Sequence, residues 1–190
     1  MAPIRRAGRA SQPGGASVTW SRAEGAHGTR WREVITTADG LVRAVTLEVS
    51  ATGRSTRLEV ATKTGMLTLH PEPDESALYG NVVTATGVRH LAFDWSPDHE
   101  ILLLASPASA TSAFVRLAEV VSVGASRELD VLRVDDTLEP RPERWTVARL
   151  GAREWTLRSP DGSEERHVRL DEDGLPILPD AASWPLERRR

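Results

Sequence analysis

The chain contains no cysteine, which excludes disulfides, thiolate metal sites and a cysteine nucleophile. Lysine is almost missing as well: Lys63 stands alone among 24 basic residues, a mark of composition rather than of chemistry. Long apolar runs are also lacking. Residues 101–105 form one of the longest, far short of the roughly 18 residues a membrane helix needs. Arg5, Arg6 and Arg9 are followed by no apolar segment, so no secretory signal is expected, and the default expectation is a cytoplasmic protein. Gly-x-Ser-x-Gly, the Walker loop, His-Glu-x-x-His and Gly-x-Gly-x-x-Gly are all absent. No enzyme class announces itself through them, and no cofactor is expected.

What is there fits one domain. A chain of 190 residues buries roughly 70% of its unfolded surface and needs no staples. The formal charge is −3, but six arginines sit at the two ends (Arg5, Arg6, Arg9, Arg188, Arg189, Arg190). The remainder holds 18 basic and 27 acidic residues. Such an acidic body is a poor footprint for a phosphate backbone, so no nucleic-acid partner is expected. Nothing in the sequence sets an oligomeric state.

Residues 1–17 are Ala, Gly, Pro, Ser and Arg with almost no large apolar group and read as a disordered tail. The domain is expected over 18–186, with a short basic tail at 187–190. From Trp20 the hydrophobic period is two. Leu41, Arg43, Val45, Leu47 and Val49 alternate with Val42, Ala44, Thr46 and Glu48, and similar alternation returns over 57–61 and 66–70. Bounded by Ala38-Asp39-Gly40, Thr52-Gly53 and Thr64-Gly65, these runs predict a meander of three or four antiparallel strands over 31–70. Further strands are predicted over 78–83, 88–95, 127–134, 144–150, 153–158 and 165–170. Residues 100–106 read as a strand covered on both faces. Residues 113–123 fit a helical and an extended pattern alike; β-branched residues over 120–123 tilt the reading towards extended. Short strands at regular spacing predict an all-β, single-domain antiparallel β-roll or open barrel of about ten to twelve strands with little helix.

Three groups of residues could carry chemistry. His90, Asp94, Asp98 and His99 form the densest polar cluster and define the alternative reading, a hydrolase or Zn²⁺ site, against a plain solvated turn. Trp20, Trp31, Trp95, Trp145, Trp155 and Trp184 supply most of the aromatic volume. They either fill the core or line an apolar cavity inside the curved sheet. Arg116 interrupts the apolar run over 113–117 and either pairs with an acid or marks the polar end of a pocket; the ion pair is the preferred reading.

Phe93-Asp94-Trp95, Ser106-Pro107-Ala108-Ser109-Ala110-Thr111, Arg116-Leu117 and Val123-Gly124, with later strands such as 131–134, 153–157 and 168–171, resemble the bacterial family of spiral β-roll proteins proposed to bind glycolipids. The likeness covers residues 90–185. This chain lacks that family's cysteine, has Ser112 after Thr111 where the family has Asn, and has Arg116 alone where the family has an arginine pair. The resemblance implies a β-roll that binds a lipid, a glycolipid or another apolar small molecule without catalysis. Residue by residue it carries over Asp94, Pro107, Thr111, Arg116 and Gly124. Joined with the aromatic argument, the expected ligand-binding set is Asp94, Trp95, Pro107, Thr111, Arg116, Trp145 and Trp155, with no metal. A structural scaffold without small ligand is the remaining alternative.

Overall fold

The computed structural model describes residues 4–11, 15–72, 74, 76–103, 106, 114, 116–170, 176–177 and 187–188. These form fifteen strands: β1 (Ile4–Ser11), β2 (Ser17–Gly25), β3 (Gly28–Thr37), β4 (Gly40–Ser50), β5 (Ser55–Thr62), β6 (Gly65–Pro71), β7 (Ala77–Thr84), β8 (Gly87–Asp94), β9 (Glu100–Leu103), β10 (Ser126–Val134), β11 (Arg141–Gly151), β12 (Glu154–Arg158), β13 (Glu165–Leu170), β14 (Pro176–Ile177) and β15 (Glu187–Arg188). The all-β expectation holds. No helix among the described residues is long and apolar enough to cross a membrane.

Nine strands make a curled half-barrel in the order β15-β1-β2-β3-β4-β5-β6-β7-β8. Eight of these strands follow chain order, as antiparallel neighbours joined by tight turns do. The period-two pattern decides which side faces in. Trp31, Val45, Leu47, Leu58, Val60, Leu67, Leu69 and Leu78 are buried on the concave face, while their sequence neighbours are partly or fully exposed. Gly80 belongs to the same face. A Cβ there would stand 2.2 Å from the Thr68 carbonyl oxygen and 2.7 Å from Leu69 Cδ2, so β6 and β7 approach as closely as they do because the side chain is missing.

The second sheet runs β14-β13-β12-β11-β10-β9 and is antiparallel except where β9 lies parallel to β10. That parallel pair sits between two cores. Ile101, Leu103, Leu132 and Val134 turn towards the half-barrel and complete its core, with Leu138. Leu102, Leu129 and Val131 face the other way and pack with Trp145, Val147, Trp155, Leu157, Val168, Phe114, Leu117 and Val121. All four residues of β9 are buried, as the sequence reading expects for a strand covered on both sides.

Two sequence expectations differ from the structure. The stretch over 116–120 is helical, not extended. Phe114, Leu117 and Val121 are buried at the i, i+3, i+7 spacing of one helical face, and Val121 N–H bonds the Leu117 carbonyl at 2.8 Å. The β-branched Val120 and Val123 that suggested a strand point to solvent, at 56% and 57% exposure. Second, Ile4–Ser11 is a strand rather than a tail, and Glu187–Arg188, expected in a basic C-terminal tail, is a strand as well. β1 pairs over its whole length with β2, and Gly8 and Arg9 pair with Arg188 and Glu187 of β15. Backbone pairing with β2 supplies what the composition of this segment does not.

Charged groups cross the seam between the sheets. Arg43 of β4, 2% exposed, lies 3.6 Å from Glu33 and pairs with Asp136 from the β10–β11 connection. Ser106 Oγ donates to Glu33 Oε2 at 3.0 Å. The connection is further held by Leu138, buried in the first core at φ 62°, and by Arg89 donating to Glu139 at 2.7 Å.

Candidate functional site

The described part of the concave face is filled by side chains from β9, β10 and Leu138. Among the described residues, a concavity lies at the seam between the two sheets. It is a half-open cleft of about 720 Å³, within the usual size of a small-molecule site. One wall is the end of the half-barrel: Ala92, Phe93 and Asp94 at the close of β8, then Trp95 and His99 from the turn that follows. The other wall is a registered stretch of β10 and β11, in which Asp130 faces Arg144, Val131 faces Glu143 and Leu132 faces Pro142. Phe93 and Trp95 pack at the margin of the first core, so the floor of the cleft is apolar and continuous with it.

Charge is arranged around this floor. Arg144 Nε donates to Asp130 Oδ1 at 2.8 Å. This hydrogen bond is the first cause that holds the Asp130 carboxyl below the usual carboxylate range and the Arg144 guanidinium above its ordinary value. Glu143, on the opposite face of β11 from Pro142, accepts the Trp145 indole N–H at 2.7 Å and lies 3.6 Å from Arg133. The His99 ring meets Trp95 edge-on at 5.2 Å between centroids.

Of the expected ligand-binding residues, Asp94 and Trp95 lie together in this cleft. Pro107 and Thr111 lie outside the described residues. Arg116 is engaged elsewhere: its Nε donates to Glu100 Oε1 at 2.6 Å, and its guanidinium also reaches the Asp98 carbonyl at 3.4 Å. Burial pushes the Glu100 carboxyl above its ordinary value, and Arg116 pulls it back only in part. Trp145 and Trp155 are each 1% exposed in the second core, where Phe114 stacks on Trp155 at 5.0 Å. Trp145 touches the site only through its N–H on Glu143. Of the alternative His/Asp set, only Asp94 and His99 share the cleft. His90 is exposed on β8 and bonds Asn81 Oδ1 at 2.6 Å; Asp98 is 73% exposed near Arg127. No group of three His, Asp or Glu side chains able to hold a metal ion occurs among the described residues.

Sequence reasoning missed Ala92, Phe93, Asp130, Leu132, Pro142, Glu143 and Arg144. The strand patterns place Asp130 and Arg144 on neighbouring strands, but only the β10–β11 register sets them opposite each other.

A scan against protein-family models and a search of curated proteins matched nothing. Among solved structures, the chain is similar to the crystal structure of a DUF1089 family protein from Pseudomonas aeruginosa. The two share 20% identity at a TM-score of 0.57, covering 96% of this chain and 91% of that one. A likeness at that identity establishes a shared fold across nearly the whole chain.

Proposed function

We propose that this protein binds an apolar small molecule, of the lipid or glycolipid class, in the cleft between the end of β8 and the β10–β11 hairpin. The observation that carries this reading is the cleft itself: about 720 Å³, lined by Phe93, Trp95, Leu132 and Pro142 together with a few polar residues. Binding sites for small molecules take this form, an apolar concavity with a few placed polar groups. Asp94 and Trp95 are the ligand contacts retained from the sequence; Ala92, Phe93, His99 and the β10–β11 residues join them. The reading assigns no catalytic step, because the polar side chains of the cleft are largely engaged with one another.

Nile red, an uncharged apolar dye, tests it. Wild-type protein brightens the dye with saturable binding. Ala92→Trp places an indole in the cleft at an exposed position of β8 and abolishes the signal while circular dichroism stays unchanged. Dye binding that survives Ala92→Trp would remove the cleft as the site.

A further inference from the structure

The charge around the cleft narrows the ligand class, and this step rests on the reading just given. Two carboxylates line the cleft, from Asp94 and Asp130, against one guanidinium, Arg144, and the imidazole of His99. The guanidinium is already committed: it holds Asp130 at 2.8 Å and lies 3.8 Å from Glu128. Glu143 borders the cleft along β11 but turns its carboxylate to the other face of the sheet, where it meets the Trp145 N–H and shares Arg133 with Glu164. Asp94 forms no ion pair among the described residues. The cleft is therefore net negative, and it is partly walled by apolar groups, which strengthen a field that open water would screen. Trp95 adds an aromatic ring, whose face attracts cations. A fatty carboxylate or a phosphate would meet repulsion from Asp94.

We infer that the ligand is an organic cation with an apolar body: an alkylammonium whose chain lies on Phe93, Trp95, Leu132 and Pro142 and whose charge sits at Asp94. Asp94 is the specificity-determining group, since it is the carboxylate without a resident counter-ion. Its exposed position on β8 means that replacing it disturbs no packing.

Three probes with one chain length and different charge test this by calorimetry below their micelle concentrations: n-octyltrimethylammonium, n-octyl glucoside and octanoate. The cation binds most tightly, about ten-fold better than the neutral glucoside, a factor in the range of a cation on an aromatic with carboxylate support. Octanoate binds least. Asp94→Asn lowers the cation's affinity several-fold and leaves the glucoside unchanged, and Asp94→Lys inverts the order of cation and carboxylate. The preference shrinks at high salt. If the glucoside binds as tightly as the cation and D94N alters neither, the charge inference is overturned while the cleft stands. If none of the probes binds, or if Ala92→Trp binds all of them like wild type, the cleft reading falls with it.

Discussion

Single side chains in this protein act mainly by fixing turns and balancing buried charge. Asp161 is the clearest case of the first. It sits in the β12–β13 turn, accepts hydroxyl hydrogen bonds from Ser159 at 2.7 Å and Ser163 at 2.7 Å, and takes the Ser163 N–H at 3.0 Å. These donors favour the charged form and hold its carboxyl down to about 2. A carboxylate depressed in the folded state contributes stability above its unfolded value of 3.8, lost as the pH falls through about 2. Ser163→Ala removes one donor, so the Asp161 carboxyl carbon, followed by NMR, will titrate closer to 3.8. An unmoved midpoint would show that Ser159 and the backbone suffice. Glu100 shows the opposite sign. Burial raises its carboxyl, Arg116 offsets part of the rise, and Arg116→Met strands the charge. Breaking a buried pair in this way costs about 3–5 kcal/mol at pH 7. Because the native value lies above the unfolded 4.5, stability is fully present below 4.5 and lost as the pH rises through the native value. The Arg116→Met deficit, measured by urea unfolding, will therefore be largest at neutral pH and will narrow as the pH falls towards 4.5. A deficit independent of pH would place the effect in packing.

Among the elements, β6 and β7 show how the curl is built. Gly80 lets the Thr68 carbonyl come within 2.2 Å of where a Cβ would stand, so Gly80→Ala must push the strands apart or bend one of them. The expected loss is about 1–3 kcal/mol, as for overpacking in a tight core, and it is read by thermal or urea unfolding; a variant as stable as wild type would mean that the pair relaxes freely. The element pattern was legible where one face is wet. In β4, Val45, Leu47 and Val49 alternate with partly exposed neighbours, and period two identifies the strand without ambiguity. It was not legible where tertiary contact overrides propensity. The helical turn over 116–120 is selected by the apolar face it presents to Trp145 and Trp155, against the β-branched residues that sit on its wet side. Ile4–Ser11 has no apolar pattern to read, and its pairing with β2 comes from the backbone. The cleft was legible in part. Asp94 and Trp95 stand out as a strand end followed by a turn, whereas Asp130, Glu143 and Arg144 become neighbours of that strand end only once the two sheets meet at the seam.

At the scale of the whole molecule, the two cores share one structural wall. β9 and β10 give Ile101, Leu103, Leu132 and Val134 to the core of the half-barrel. The same two strands give Leu102, Leu129 and Val131 to the core beneath the helical turn. Neither core keeps its shape if these strands leave, because each would lose a layer of buried side chains. The charged seam adds to the coupling: Arg43 binds the β10–β11 connection to β4 through Asp136, and Leu138 plugs the same connection into the first core. The two sheets are therefore predicted to unfold as one cooperative unit, as small domains with a shared core do. Leu103→Ala deletes a side chain from the first core and Val131→Ala from the second. In the first case the expected loss is about 2–5 kcal/mol, in the second somewhat less for the smaller side chain. The decisive reading is where the loss appears. In native-state hydrogen exchange, amides of β6 and of β12 lie in different cores. Either substitution will lower the protection of both by the same free energy if opening is global. Were Leu103→Ala to lower protection in β6 while β12 kept its wild-type value, the second sheet would be a separate folding unit. The cleft would then lie between two bodies free to move, and no longer at the rim of one.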